Sequence, residues 1–197
     1  MRAPENIRAI EMADPDMMGF ICWEKSSRYV GNVPTYLPSC LRVGVFVNPR
    51  LEYVMKRAHE LRLDYIQLHG TESSEFCIKV LNEIGLPIIK AISVKTTKDI
   101  DTWEEYEKIV NLLLFDTKCK STGGSGEQFD WDILNHYQGN IPFFLAGGIG
   151  PEDAERLHAW HHPMYIGIDI NSRFEDAPAM KNVKAVTQFI RKIRSYE

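Results

Sequence analysis

Short apolar runs rich in valine, isoleucine, leucine and phenylalanine recur along the chain, each followed by a turn signal and a stretch of helical periodicity. They predict seven strands: Met17 to Cys22, Arg42 to Val47, Tyr65 to His69, Pro87 to Ser93, Leu112 to Asp116, Pro142 to Ala146 and Tyr165 to Ile170. The runs are apolar almost throughout rather than alternating, the pattern of a parallel sheet covered on both faces. Helices are predicted over Pro49 to Arg62, Ser73 to Ile84, Thr102 to Val110, Trp131 to Tyr137, Pro151 to Trp160 and Ala179 to Tyr196. Pro49 and Pro151 fall where a first helical turn tolerates a missing donor. Pro34 and Pro38 limit any helix after Cys22 to a short piece, Val33 to Cys40.

A further helical pattern, Pro4 to Met12, precedes the first strand. Seven strands and eight helices fit an α/β fold, a (β/α)8 TIM barrel lacking its first β-strand, in a single domain over residues 1–197. Such a gap exposes two sheet edges, from which instability or association is expected. An open doubly wound sheet is the alternative.

With 44% hydrophobic residues in 197, the chain buries one substantial core. The net charge of -4 is small and its basic residues are scattered, which argues against nucleic acid or a membrane surface as partner and favours a small molecule. The four cysteines form no C-x-x-C pair, the N-terminus lacks an apolar signal run, and no window is long and apolar enough to span a bilayer. A cytoplasmic protein is expected, as a monomer or homodimer.

In a barrel the chemistry collects at the C-terminal ends of the strands. The candidates there are Lys25 and Arg28, Gln67 and His69, Lys90 and Ser93, Asp116, Gly147 and Gly148, and Asp169 with Asn171 and Ser172. Asp116 ends an apolar strand, where partial desolvation raises a carboxyl pKa and suits a general acid; a capping or ion-paired aspartate is the bland alternative. Gly123 to Gly126 reads as a lid or as a plain flexible connection. Gly147–Gly148 and Asp169–Ser172 follow consecutive strands and read as phosphate cradles, or, for the glycines, as a tight turn only. Arg28 offers a fork for a carboxylate, or is solvated. His69 touches substrate, or hydrogen-bonds within the barrel. His158, His161 and His162 precede a strand, face the other end and lack partners at ligand spacing, so no metal site is assigned.

The strings GFICWEKSSRYV, RVGVFVN, DYIQLHG, LLLFDT, GGSGEQFDW, FLAGGIGPEDA and GIDINSRFE follow one another in an order that resembles the phosphoribosylanthranilate isomerase family. The resemblance spans nearly the whole chain. It implies an Amadori rearrangement of an aminoaldose phosphate to an aminoketose in tryptophan biosynthesis, with a phosphosugar substrate and no metal or organic cofactor. By the same resemblance Asp116 is the general acid and Arg28 binds the anthranilate carboxylate. Gly147, Gly148, Asn171 and Ser172 lie in the phosphate loops, and His69 and Asp169 are secondary contacts. Arg173 stands where many relatives have glycine. The family's general base, a cysteine in a lysine-valine-cysteine-glycine-like run before a methionine and arginine, has no counterpart, because Met1 and Arg2 open this chain. Neither Cys22, which ends the strand beside the missing one, nor Cys119, in the loop that follows Asp116, is expected to substitute as the base. Little or no activity is therefore expected. The alternatives are a non-catalytic phosphosugar-binding barrel and a phosphate-barrel enzyme acting on another aminoaldose.

Overall fold

All seven predicted strands form, and they join in the order in which the chain makes them. The computed structural model describes residues 1–117 and 130–196, so the Gly123 to Gly126 stretch and Cys119 lie outside the described residues. Strands β1 (Met17–Ile21), β2 (Leu41–Phe46), β3 (Tyr65–Leu68), β4 (Ile88–Val94), β5 (Leu112–Thr117), β6 (Phe143–Leu145) and β7 (Tyr165–Ile168) make one sheet in that order, every neighbouring pair parallel. A doubly wound sheet reverses its strand order at a switch point. This sheet never does, which removes that alternative.

Helix α1 (Pro4–Glu11) precedes the sheet, and α2 (Leu51–Glu60) and α3 (Ser74–Ile84) follow β2 and β3. The ends of α3 follow from its sequence: the Ser73 hydroxyl accepts from the Phe76 N–H, and Gly85 takes the left-handed conformation (φ 72°) that stops it. A short α4 (Thr97–Ile100) follows β4 and runs into a 3-10 turn, Asp101–Tyr106. Further 3-10 turns span Trp131–His136 and Pro151–Asp153, the latter leading into α5 (Ala154–Ala159). After β7 come the 3-10 turn Ser172–Phe174, an antiparallel hairpin of β8 (Glu175–Ala177) and β9 (Met180–Lys181), and α6 (Val183–Arg194).

Three expectations change. No helix forms over Val33 to Cys40; Pro34 and Pro38 are buried there and neither brings an N–H. The helix predicted from Thr102 starts earlier, because Thr96 and Asp99 form a capping box, and it is over by Tyr106, with Lys108 at φ 64°. The segment from Ala179 opens as a hairpin instead of a helix, and α6 begins only after Asn182 caps it by accepting from the Ala185 N–H at 2.9 Å.

Strand alternation divides the core in two. Phe20, Phe46, Ile66, Leu68, Leu113 and Phe115 point toward the helices in the larger cluster. Val43, Ile89, Ala91, Leu114 and Ala146 form a smaller cluster on the inner face of the sheet. Among the described residues β1 and β7 are the two edges, and the Met1 ammonium donates to the Gly19 carbonyl of β1 at 2.6 Å.

Candidate active site

The same parity sorts the candidate side chains. Asp116 lies two residues beyond Leu114 on β5, and Gln67 and His69 alternate with Ile66 and Leu68 on β3, so all three belong to the inner face. They meet at its C-terminal end. His69 Nε2 stands 3.1 Å from Asp116 Oδ2, and Gln67 Nε2 stands 2.9 Å from His69 Nδ1. Asp116 Oδ1 accepts the Thr117 N–H at 2.8 Å, and its side chain keeps 27% exposure, enough to be reached from the mouth.

Gly147 seals the floor beside Asp116. Its φ is 88°, and a Cβ there would lie 2.2 Å from Thr117 Oγ1 and 2.8 Å from Asp116 Oδ1, so only glycine fits. Gly148 is also left-handed, at φ 65°. We expect Gly147→Ala to lower stability by about 1–3 kcal/mol through backbone strain and contact with Thr117. Turnover should fall with it as Asp116 shifts. Urea unfolding alongside steady-state kinetics checks both, and unchanged kinetics would uncouple this turn from the carboxylate.

Asp169, just past β7, is open to solvent yet surrounded by protein in the concave mouth. That enclosure pushes its carboxyl up from the ordinary range; Asp116 adds to the shift, and His69 and Lys181 oppose it. Asn171 holds Lys181, whose ammonium reaches the Asn171 carbonyl at 3.0 Å and its Oδ1 at 2.5 Å. Ser172 opens the 3-10 turn that follows. Arg173 pairs with Glu152, tying the turn after β7 to the turn after β6.

Arg28 is not solvated. Its Nε and a terminal nitrogen reach Glu175 Oε2 at 2.8 and 2.7 Å, and Lys181 reaches the other oxygen at 3.0 Å. Burial pushes the Glu175 carboxyl up, but the hydrogen bonds and charges of Arg28 and Lys181 outweigh it and hold the group below its ordinary range. Lys25 is exposed. Glu175 and Lys181 escaped the sequence reading because both belong to the unpredicted hairpin.

Behind β3 and β4 lies a charged pair on the opposite face. Lys90 and Glu72 are both buried and meet at 3.0 Å; Lys90 also donates to the carbonyls of Leu68, Gly70 and Ala91, and Glu72 accepts the N–H groups of Asn48 and Gly70. Lys90 was a candidate for the site; the structure turns it away and makes it an anchor for the loop that follows His69. Ser93 is exposed at the end of β4.

The described thiols are elsewhere. Cys22 follows Phe20 in parity and is buried on the helix side, where burial raises its thiol despite nearby Arg57; Cys77 and Cys40 are raised to about 11, also by burial. His158 stacks on Tyr196, and His162 takes the Met164 N–H at Nδ1. Among the described residues no three potential ligands gather as a metal site, and no helix is long and apolar enough to cross a membrane.

Residues 3–192 match the family model for N-(5'-phosphoribosyl)anthranilate (PRA) isomerase. The chain is 47% identical over 195 residues to the N-(5'-phosphoribosyl)anthranilate isomerase of Phocaeicola vulgatus, covering 98% of this chain and 95% of that one. Its fold is similar to the crystal structure of phosphoribosyl anthranilate isomerase from Thermus thermophilus, with TM-score 0.82 and 26% identity over 100% of both chains. A phosphoribosyl anthranilate isomerase solved in complex with reduced 1-(o-carboxyphenylamino)-1-deoxyribulose 5-phosphate is also similar, with TM-score 0.77 and 25% identity over 99% of both chains.

Proposed function

The chain belongs to the N-(5'-phosphoribosyl)anthranilate isomerase family, enzymes of tryptophan biosynthesis, and from that premise we propose the residue roles, the substrate and the state in which it works. The substrate is N-(5'-phosphoribosyl)anthranilate and the product 1-(2-carboxyphenylamino)-1-deoxyribulose 5-phosphate. Asp116 is the general acid: it gives a proton to the furanose oxygen, the ring opens, and the C1–N bond becomes an iminium. Loss of the C2 proton to a base then gives an enolamine that tautomerises to the ketone. The observation that carries this reading is the half-buried Asp116 carboxylate on the inner face, 3.1 Å from His69.

Around it, Gly147 and Gly148 with Asn171 and Ser172 hold the phosphate, His69 and Asp169 make secondary contacts, and Arg28 takes the anthranilate carboxylate. Glu175 already uses two nitrogens of Arg28, so the remaining edge of the fork is what a substrate carboxylate meets. The protein works in the cytoplasm as a monomer or homodimer, and its seven-stranded sheet represents seven consecutive strands of a (β/α)8 barrel. The continuous strand order, with β1 and β7 as edges, supports that reading.

Among the described residues no thiol shares the inner face with Asp116, which supports impaired turnover by this chain. The test is an isomerase assay on N-(5'-phosphoribosyl)anthranilate with this chain and with a version extended upstream by a strand carrying a cysteine. Turnover confined to the extended form is expected. Full turnover by the 197-residue chain would overturn the impairment, and tight binding of the reduced product without turnover by either form would favour a binding protein.

A further inference from the structure

The loop after β1 carries Arg28 and is held on either side of it. The Arg28 N–H donates to the Ser26 hydroxyl at 3.1 Å, and buried Arg57 of α2 donates to the Val30 carbonyl at 2.7 Å. What these contacts leave open is the direction of the Arg28 fork, and Glu175 of the hairpin settles it. Glu175 Oε2 takes Nε and one terminal nitrogen of Arg28; Oε1 takes Lys181 at 3.0 Å and the Ala179 N–H at 3.1 Å. The carboxylate is only 4% exposed, so water does not compete for it. The guanidinium therefore has its side edge spent on protein. Its end, where both terminal nitrogens keep N–H groups, is left for a second planar anion.

Lys181 does not share that task. Its three N–H groups already go to the Asn171 carbonyl, Asn171 Oδ1 and Glu175, so its part is to hold Glu175 from the far side. Asn6 in turn grips the Lys181 backbone with two 2.8 Å bonds. We propose that Glu175 is a positioning residue for substrate selection: held by Lys181 and Ala179, it aims the free end of Arg28 and so makes the site prefer an arylamine with an ortho carboxylate over one without. An arginine free to rotate would give up that freedom on binding and weaken the contact; one already held does not. The proposal rests on the reading of Arg28 as the carboxylate ligand.

The first measurement uses the unaltered chain. The Arg28 Nε–H signal, identified by its loss in Arg28→Lys, is followed by 1H–15N correlation as reduced 1-(o-carboxyphenylamino)-1-deoxyribulose 5-phosphate is added. The Nε–H is expected to exchange slowly with water before and after, since Glu175 keeps that bond. Rapid exchange in either state overturns the proposal, because Glu175 then does not hold the fork or is displaced by the ligand. Calorimetry next compares this ligand with the same compound lacking its carboxyl. The parent chain should prefer the carboxylated ligand by on the order of 10²-fold. In Glu175→Gln the amide oxygen serves only one of the two cations and its N–H groups face the other, so the preference should fall by about tenfold while affinity for the carboxyl-free ligand moves less than about twofold. A folded variant that keeps the preference, or that weakens both ligands equally as a merely structural role would, rejects the proposal. Should Glu175→Gln not fold, the Nε–H signal of the unaltered chain decides alone. Failure of the underlying reading looks different: the parent then binds both ligands alike or neither, and the assignment of Arg28 falls and takes the proposal with it.

Discussion

Asp116→Asn is expected to lower kcat by on the order of 10²–10⁴-fold, measured in whichever chain form turns over faster. Opening the furanose ring requires a proton on its oxygen, and an amide has none to give near neutral pH. Because that proton moves only in the transition state, kcat and kcat/KM should fall together with KM nearly constant. The substitution also disturbs a neighbour. If the introduced amide keeps its oxygen on the Thr117 N–H, its nitrogen faces His69 Nε2, and at most one bond of the pair is lost, at a cost of about 0.5–1.5 kcal/mol. A loss that small leaves the protein folded, so an unfolding curve separates the catalytic effect from a structural one. Survival of turnover would transfer the acid role within the mouth, and Asp169, whose enclosed carboxyl is pushed up, is the group to test next.

The sequence carried the sheet well because each strand is a continuous apolar run, and a parallel strand buried on both faces has no other way to look. It did not choose between barrel and doubly wound sheet, since both bury such strands; only the strand order decides. Asp116 and His69 were legible from position alone, each ending an apolar run. Arg28 was not: its fork looked free in sequence, and the carboxylate that takes it, Glu175, lies 147 residues away. The β8–β9 hairpin left no trace because it is three residues against two and is held by backbone and by Asn6, which exchanges two 2.8 Å bonds with Lys181 instead of burying apolar alternation. The same blindness hid Glu72. Following Gly70 and Thr71 it reads as a solvated loop residue, and its lysine lies in the next strand.

That pair carries the largest expected effect on stability. Glu72→Gln should destabilise the fold by about 3–5 kcal/mol, because it leaves the Lys90 ammonium buried without its counter-charge. The contrast within this protein is instructive: Lys192 and Glu155 also form an ion pair at 2.9 Å, but both are exposed, and water screens such a pair until little of its attraction is left. Lys90 and Glu72 each have side chains only 2% exposed. The carbonyls of Leu68, Gly70 and Ala91 solvate the ammonium in the variant but do not neutralise it. Pairing Glu72→Leu with Lys90→Met should recover part of the loss, since no buried charge remains. Recovery stays incomplete because Glu72 also accepts the Asn48 and Gly70 N–H groups, which an apolar side chain leaves unpaired. Those two N–H groups lie in the loops after β2 and β3, and Gly70 directly follows His69. Glu72→Gln is therefore expected to lower kcat as well as the unfolding midpoint, whereas the corresponding Glu155→Gln does neither. A chemical-denaturation series across these variants and the parent decides it: a single-variant loss below about 1 kcal/mol would mean that the pair behaves like a surface contact and does not anchor the site.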